Sequence, residues 1–134
     1  MNPITSENIT ELKDNEIFVF GSNLAGRHGA GAALLARRWR AKTGYSRGPQ
    51  GKTYARPTKD GKIQTLPLEH IQYHVYRFIN YARIHPESIF LVTQIGCGLA
   101  GYSPEEIAPL FSSAIGIDNI SLPECFLKIL IKDV

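Results

Sequence analysis

Apolar and polar positions alternate along this chain between short continuous hydrophobic runs and longer amphipathic stretches. Ile17-Phe18-Val19-Phe20 is an unbroken apolar run, the pattern of a short strand buried on both faces. The sixteen residues before it are polar, with Ile9 and Leu12 the strong apolar anchors after Ile4, and predict an edge strand or a turn. Ala32, Leu35, Ala36 and Trp39 recur at helical spacing, with Arg37, Arg38 and Arg40 elsewhere around the surface, so a helix is expected over 32–40. Trp39 lies on the apolar stripe and is read as core rather than as a base-stacking residue. Residues 41–62 hold Gly44, Gly48, Pro49, Gly51, Pro57 and Gly61 and predict a long loop with a short strand over 53–56. Leu68, Ile71, Val75, Phe78, Ile79 and Ala82 form the stripe of an amphipathic helix from 68 to about 84, which Pro86 ends. Ile89-Phe90-Leu91-Val92-Thr93 predicts a central strand, 105–113 a short helix, and 119–122 and 126–131 the last two strands. Strands alternating with helices predict one three-layer α/β domain over residues 1–134.

Two glycine-rich stretches follow strands in this pattern. After residue 93 come Gln94-Ile95-Gly96-Cys97-Gly98-Leu99-Ala100-Gly101-Tyr102, then Ser103-Pro104-Glu105-Glu106. Ser103 suits an N-cap, Pro104 the first helical position, and Glu106 the reciprocal place in a capping box. Glycines let a loop turn its backbone N–H groups toward one point, and a loop feeding a helix N-terminus can hold a phosphate. A plain strand-to-helix turn is the competing account. The first stretch is Gly21-Ser22-Asn23-Leu24-Ala25-Gly26-Arg27-His28-Gly29-Ala30-Gly31-Ala32-Ala33, again between a strand and a helix. Two such loops at the carboxyl ends of strands in one sheet could face each other across a crevice and suit a ligand with more than one phosphate. The candidate ligand-binding positions are Gly21, Ser22, Asn23, Gly26, Gly29, Ala30, Gly31 and Ala32 in the first stretch, with every residue from Gln94 to Tyr102 in the second.

Composition narrows the class. With 43% hydrophobic and 20% charged residues in 134, this is an ordinary globular composition. No apolar run approaches membrane-spanning length, and Met1-Asn2-Pro3-Ile4-Thr5 has no signal-peptide character, so a cytoplasmic location is expected with no membrane partner. Cys97 and Cys125 make neither a metal spacing nor a disulfide framework. His70 and His74 are four apart, yet no carboxylate pattern completes a metal site, and they are read, with His85, as exposed helix histidines. No metal and no cofactor is expected. The net charge of +3 hides ten basic residues from Arg27 to Lys62 opposed by Asp60 alone. Such a block could meet nucleic acid or a modified macromolecule, and a solvated surface is the duller account. No helix-turn-helix, zinc-finger or RRM signature accompanies it.

The two loops together resemble those of a macrodomain, the ADP-ribose-binding module. Ile95-Gly96-Cys97-Gly98-Leu99-Ala100-Gly101 is similar to the second phosphate loop of the branch holding terminal ADP-ribose glycohydrolases and the antitoxins that strip ADP-ribose from DNA. The order strand, Asn23, glycine-rich loop, helix is similar to the first loop. The resemblance implies a three-layer α/β/α fold around a central mixed sheet, an ADP-ribosyl ligand, and a contact from Asn23 to the distal ribose. Glu7-Asn8-Ile9-Thr10 stands where macrodomains carry Gly-Asp-Ile-Thr, so Asn8 and Ile9 are implied ligand contacts, with the Asn8 amide oxygen in place of the adenine-binding carboxylate. The physics agrees, since backbone N–H groups can hold a pyrophosphate without a metal. Cys97 is read as packing or a backbone contact rather than as a nucleophile.

Catalysis divides the readings. One glycohydrolase form has an aspartate shortly after Gly-Cys-Gly, where this chain has Ala100 and no acid before Glu105. Antitoxin-like members depend on a lysine in Pro-Thr-Lys, which Pro57-Thr58-Lys59 resembles. Lys59 would attack the anomeric carbon of the distal ribose or stabilise an oxyanion there, with His28 as a possible acid, base or phosphate donor. A solvated lysine is the bland alternative. Three functions follow: hydrolysis of ADP-ribose from a nucleic acid or protein, a non-catalytic reader or sequestering protein for ADP-ribose-derived nucleotides, and a basic nucleic-acid-binding module with structural glycine loops.

Overall fold

A computed structural model describes residues 2–6, 9, 11–23, 39, 48–50, 53–59, 66–93 and 102–131. The strands are β1 (Ile4–Thr5), β2 (Glu16–Asn23), β3 (Gly48–Gln50), β4 (Thr53–Lys59), β5 (Ile89–Val92) and β6 (Ile120–Pro123). The helices are α1 (Leu68–Arg83), α2 (Pro104–Ile107), which runs on into a 3-10 helix (Ala108–Ala114), and α3 (Glu124–Leu130). Among the described residues the strands make one mixed sheet in the order β1-β6-β5-β2-β4-β3. β3 pairs antiparallel with β4, and the other neighbours are parallel.

The apolar run in β2 is buried on both sides because side chains alternate across a strand. Val19 enters a large core with Tyr54, Ile71, Val75, Phe78, Ile79, Phe90, Val92, Phe111, Ile120 and Phe126. Phe18 and Phe20 point the other way, into a smaller cluster with Ile9, Leu12 and Trp39. Trp39 lies 4.9 Å from Phe18, centroid to centroid, and covers it as a core aromatic would. The rest of the helix expected over 32–40 lies outside the described residues. On the large-core face, Tyr54, Phe78, Tyr81 and Phe90 pack edge-on or tilted at 4.9–6.5 Å. Full burial of each phenylalanine is worth about 2–3 kcal/mol, so these rings carry much of the sheet-to-α1 attachment.

Local chemistry sets the ends of the elements. Asn119 Nδ2 donates to the carbonyls of Ala82 and His85 at 2.8 and 3.1 Å, satisfying the C-terminus of α1 just before β5. The buried Asn2 amide donates to the carbonyls of Ala114, Ile117 and Ile120 at 2.9, 3.1 and 2.9 Å. Its oxygen accepts from the Gly116 N–H at 2.9 Å, and Gly116 adopts φ 87°, a conformation that favours glycine. This single side chain knits the turn before β6, beside which β1 docks.

Several expectations need correction. The apolar stretch 126–131 is not a strand: β6 ends at Pro123 and α3 follows. Phe126, Leu127 and Leu130 meet the core at helical rather than alternating spacing, an ambiguity that short apolar runs carry. The stretch 41–62 is less open than a loop, since β3 and a seven-residue β4 occupy it. The helix expected over 105–113 is four α-helical residues continued by 3-10 turns. His74 is buried at 7% exposure rather than exposed, and His85 is half-buried, stacked on Tyr81 with Nδ1 2.8 Å from its carbonyl. His70 is exposed as expected.

Candidate functional site

The sheet splits at one place. β2 and β5 run in register from Glu16↔Ile89 to Val19↔Val92, and there β5 stops. β2 continues through Phe20, Gly21, Ser22 and Asn23 with β4 alone beside it. From the end of β2 the chain goes on toward β4, and from the end of β5 toward β6, on the opposite side. Adjacent parallel strands whose connections diverge leave a crevice at their carboxyl ends, the usual ligand position in open α/β sheets. Both glycine-rich stretches start from this one crevice.

Thr93 marks the split. Its N–H and its Oγ1 both donate to the Val19 carbonyl, at 3.2 and 2.8 Å, the last tie between β5 and β2. At the far end of the second stretch, the Tyr102 hydroxyl donates to the Leu66 carbonyl at 2.7 Å, ahead of α1. The capping box is present: the Ser103 hydroxyl accepts from Glu106 N–H, and the Glu106 carboxylate accepts from Ser103 N–H at 3.0 Å. Pro104 brings no N–H. The start of α2 is thus capped by its own residues, with a carboxylate already at its positive end. A phosphate held in this crevice would rest on loop N–H groups rather than on that helix end.

β4 brings the third component. Its register with β2 runs Phe20↔Ala55, Gly21↔Arg56 and Ser22↔Pro57, then shifts so that Asn23 is opposite Lys59. The shift takes in Thr58 as an extra residue, a bulge next to Pro57, which has no N–H for a ladder. β3 covers β4 only as far as Ala55, so the proline lies where one side of the strand is bare. Lys59 therefore ends a strand and does not stand in a free loop.

Of the other sequence-derived candidates, Gly21 is half-buried in β2, and Ile9 is half-buried against the Phe18 and Phe20 cluster. Tyr102 is half-buried against the large core, with its hydroxyl engaged as above. Ser22 is in β2 opposite Pro57. Asn8, Gly26, His28, Gly29, Ala30, Gly31, Ala32, Gln94, Ile95, Gly96, Cys97, Gly98, Leu99, Ala100 and Gly101 lie outside the described residues, as does most of the basic stretch. Among the described residues no group of His, Cys, Asp or Glu could hold a metal, and no helix is long and apolar enough to cross a membrane. Two exposed cations carry raised pKa values from partners one turn away on their own helices: Arg77 through Tyr73, and Lys128 through Glu124.

This architecture is shared with solved structures. The macrodomain of Mycobacterium tuberculosis DarG superposes with a TM-score of 0.69 at 20% identity, covering 92% of this chain and 95% of that one. A Streptomyces coelicolor macrodomain protein gives 0.56 at 16%, over 92% and 97%. The chain has the macrodomain fold. A Bacteroides thetaiotaomicron protein of unknown function shares it too, with a TM-score of 0.64 at 14% identity over 92% and 97%. No protein-family model and no curated protein matches the sequence. With this macrodomain fold in hand, two features stand out that sequence reasoning missed. One is the Asn23–Lys59 pairing, which no spacing rule reveals across a 36-residue separation. The other is Thr93, whose only signal is a hydroxyl at the end of an apolar run.

Proposed function

We propose that this chain binds ADP-ribose, or an ADP-ribosyl group on a macromolecule, in the crevice at the ends of β2 and β5. The diphosphate rests on backbone N–H groups of the two glycine-rich stretches, and the distal ribose lies toward Asn23 and Lys59. The observation that carries the reading is the register pairing of those two residues beyond the split. Neighbouring strands run about 4.8 Å apart, so an amide and an amine rooted there can reach one sugar.

Lys59 then removes the ADP-ribosyl group from a nucleic acid or protein. The free amine attacks the anomeric carbon, forming Nζ–C1″ as C1″–O4″ breaks and O4″ takes one amine proton. The linked base or side chain departs with the second proton, leaving a Schiff base, and water returns free lysine and ADP-ribose. Asn23 offers a donor and an acceptor to the ribose hydroxyls. The basic run from Arg27 to Lys62 favours a nucleic-acid substrate. A second reading, a reader or sequestering protein for ADP-ribose-derived nucleotides, is favoured by Ala100, where one hydrolase form carries an acid.

Calorimetry with ADP-ribose tests the ligand, and a flat isotherm rejects it. Incubation with ADP-ribosylated DNA and with ADP-ribosylated protein separates the two readings. Release of ADP-ribose supports hydrolysis; binding without release from either substrate supports the reader.

A further inference from the structure

We infer that the Thr93 hydroxyl is a positioning group for the ligand crevice, holding the second glycine-rich stretch at the distance from β2 that binding requires. The inference rests on the reading of the crevice as an ADP-ribose site. Thr93 is the last residue before Gln94, and no residue of β5 beyond Val92 pairs with β2. The strand ladder alone would hold this exit with one N–H bond at 3.2 Å, at the long end of the useful range. The hydroxyl adds a second, shorter bond of 2.8 Å to the same carbonyl of Val19, whose two lone pairs accept both. Two bonds from one residue to one oxygen fix both the place and the direction in which the chain leaves the sheet.

The partner matters as much as the bond. Val19 belongs to β2, four residues before Asn23, so the tie joins the root of one half of the crevice to the root of the other. At the opposite end Tyr102 is tied by its own hydroxyl to Leu66, so the stretch 94–101 is held at both roots by side-chain hydroxyls. A purely structural bond in this place would affect stability only. A positioning bond affects the geometry of a backbone cradle, in which small displacements of N–H groups weaken contacts to an anion.

The test uses Thr93→Val, which keeps the β-branched shape and loses the hydroxyl, with Thr93→Ala as a second hydroxyl-free variant and Thr93→Ser as the rescue. Hydrogen–deuterium exchange of the peptide covering 94–101 and ADP-ribose affinity are read together with melting temperature. Faster exchange in that peptide for Thr93→Val and Thr93→Ala is expected. Affinity should fall roughly five- to tenfold, the effect of one hydrogen bond. Thr93→Ser should stay within about twofold of the parent on both measures. Lower melting temperatures with unchanged exchange at 94–101 and unchanged affinity would overturn the inference. If the parent chain binds no ADP-ribose, the proposed function fails and the exchange result alone decides the positioning role, in the same directions.

Discussion

Asn23 and Lys59 are register partners at the carboxyl ends of β2 and β4, brought opposite each other by the bulge at Thr58. Without that extra residue, the Ser22↔Pro57 register would continue and place Asn23 opposite Thr58. The bulge thus decides which residue of Pro57-Thr58-Lys59 reaches the end of β2.

Lys59→Ala is expected to keep ADP-ribose binding within a few-fold and to slow release of ADP-ribose by roughly a hundredfold or more, as loss of a nucleophile does. Single-turnover release from ADP-ribosylated DNA measures it. Equal rates for variant and parent would remove Lys59 from the chemistry. Deleting Thr58 should be nearly as damaging to release, since the register would then set Lys59 back by one residue.

Tyr102→Phe removes the bond to Leu66 while keeping the ring in the large core. We expect a loss of about 1 kcal/mol in urea unfolding and weaker ADP-ribose binding. A larger loss in affinity than in stability, compared in the same buffer, would mark the hydroxyl as serving the crevice. An affinity equal to the parent's would mark the tie as structural only.

Asn2→Ala should be among the most destabilising polar substitutions in this chain, by about 2–4 kcal/mol, because it strands buried partners at Ala114, Ile120 and Gly116. A lower urea midpoint with an unchanged slope is the expected signature. Asn119→Ala, which uncaps α1, should cost less, about 1–2 kcal/mol.

Glu124 and Lys128 form a 3.0 Å pair, one turn apart on α3 with both side chains largely exposed. The raised Lys128 pKa means any stabilisation is present below the unfolded-state value and fades as pH rises through the folded one. Solvent screening keeps it small. Glu124→Gln is therefore expected to leave the melting temperature unchanged within error between neutral pH and pH 9.

Much of this was legible before any coordinates. Continuous apolar runs located β2 and β5 because a strand buried on both faces has no polar position. The stripe in α1 followed from its 3.6-residue period, and Ser103, Pro104 and Glu106 announced their cap by local chemistry. The misreadings have local causes too. Residues 126–131 form too short an apolar run for periodicity to separate helix from strand. His74 looked solvent-facing because its neighbours in sequence are polar, although its turn of α1 faces inward.

The sequence by itself determined which segments are strands and helices, and that a glycine-rich stretch follows each of two buried strands. Those features depend on nearest-neighbour chemistry, which a linear pattern records. Only the tertiary structure decided that the two strands are neighbours, that β5 stops while β2 continues, and that Asn23 meets Lys59. Those relations come from strand order and register, and they are set by how side chains far apart in the chain pack on the two faces of the sheet.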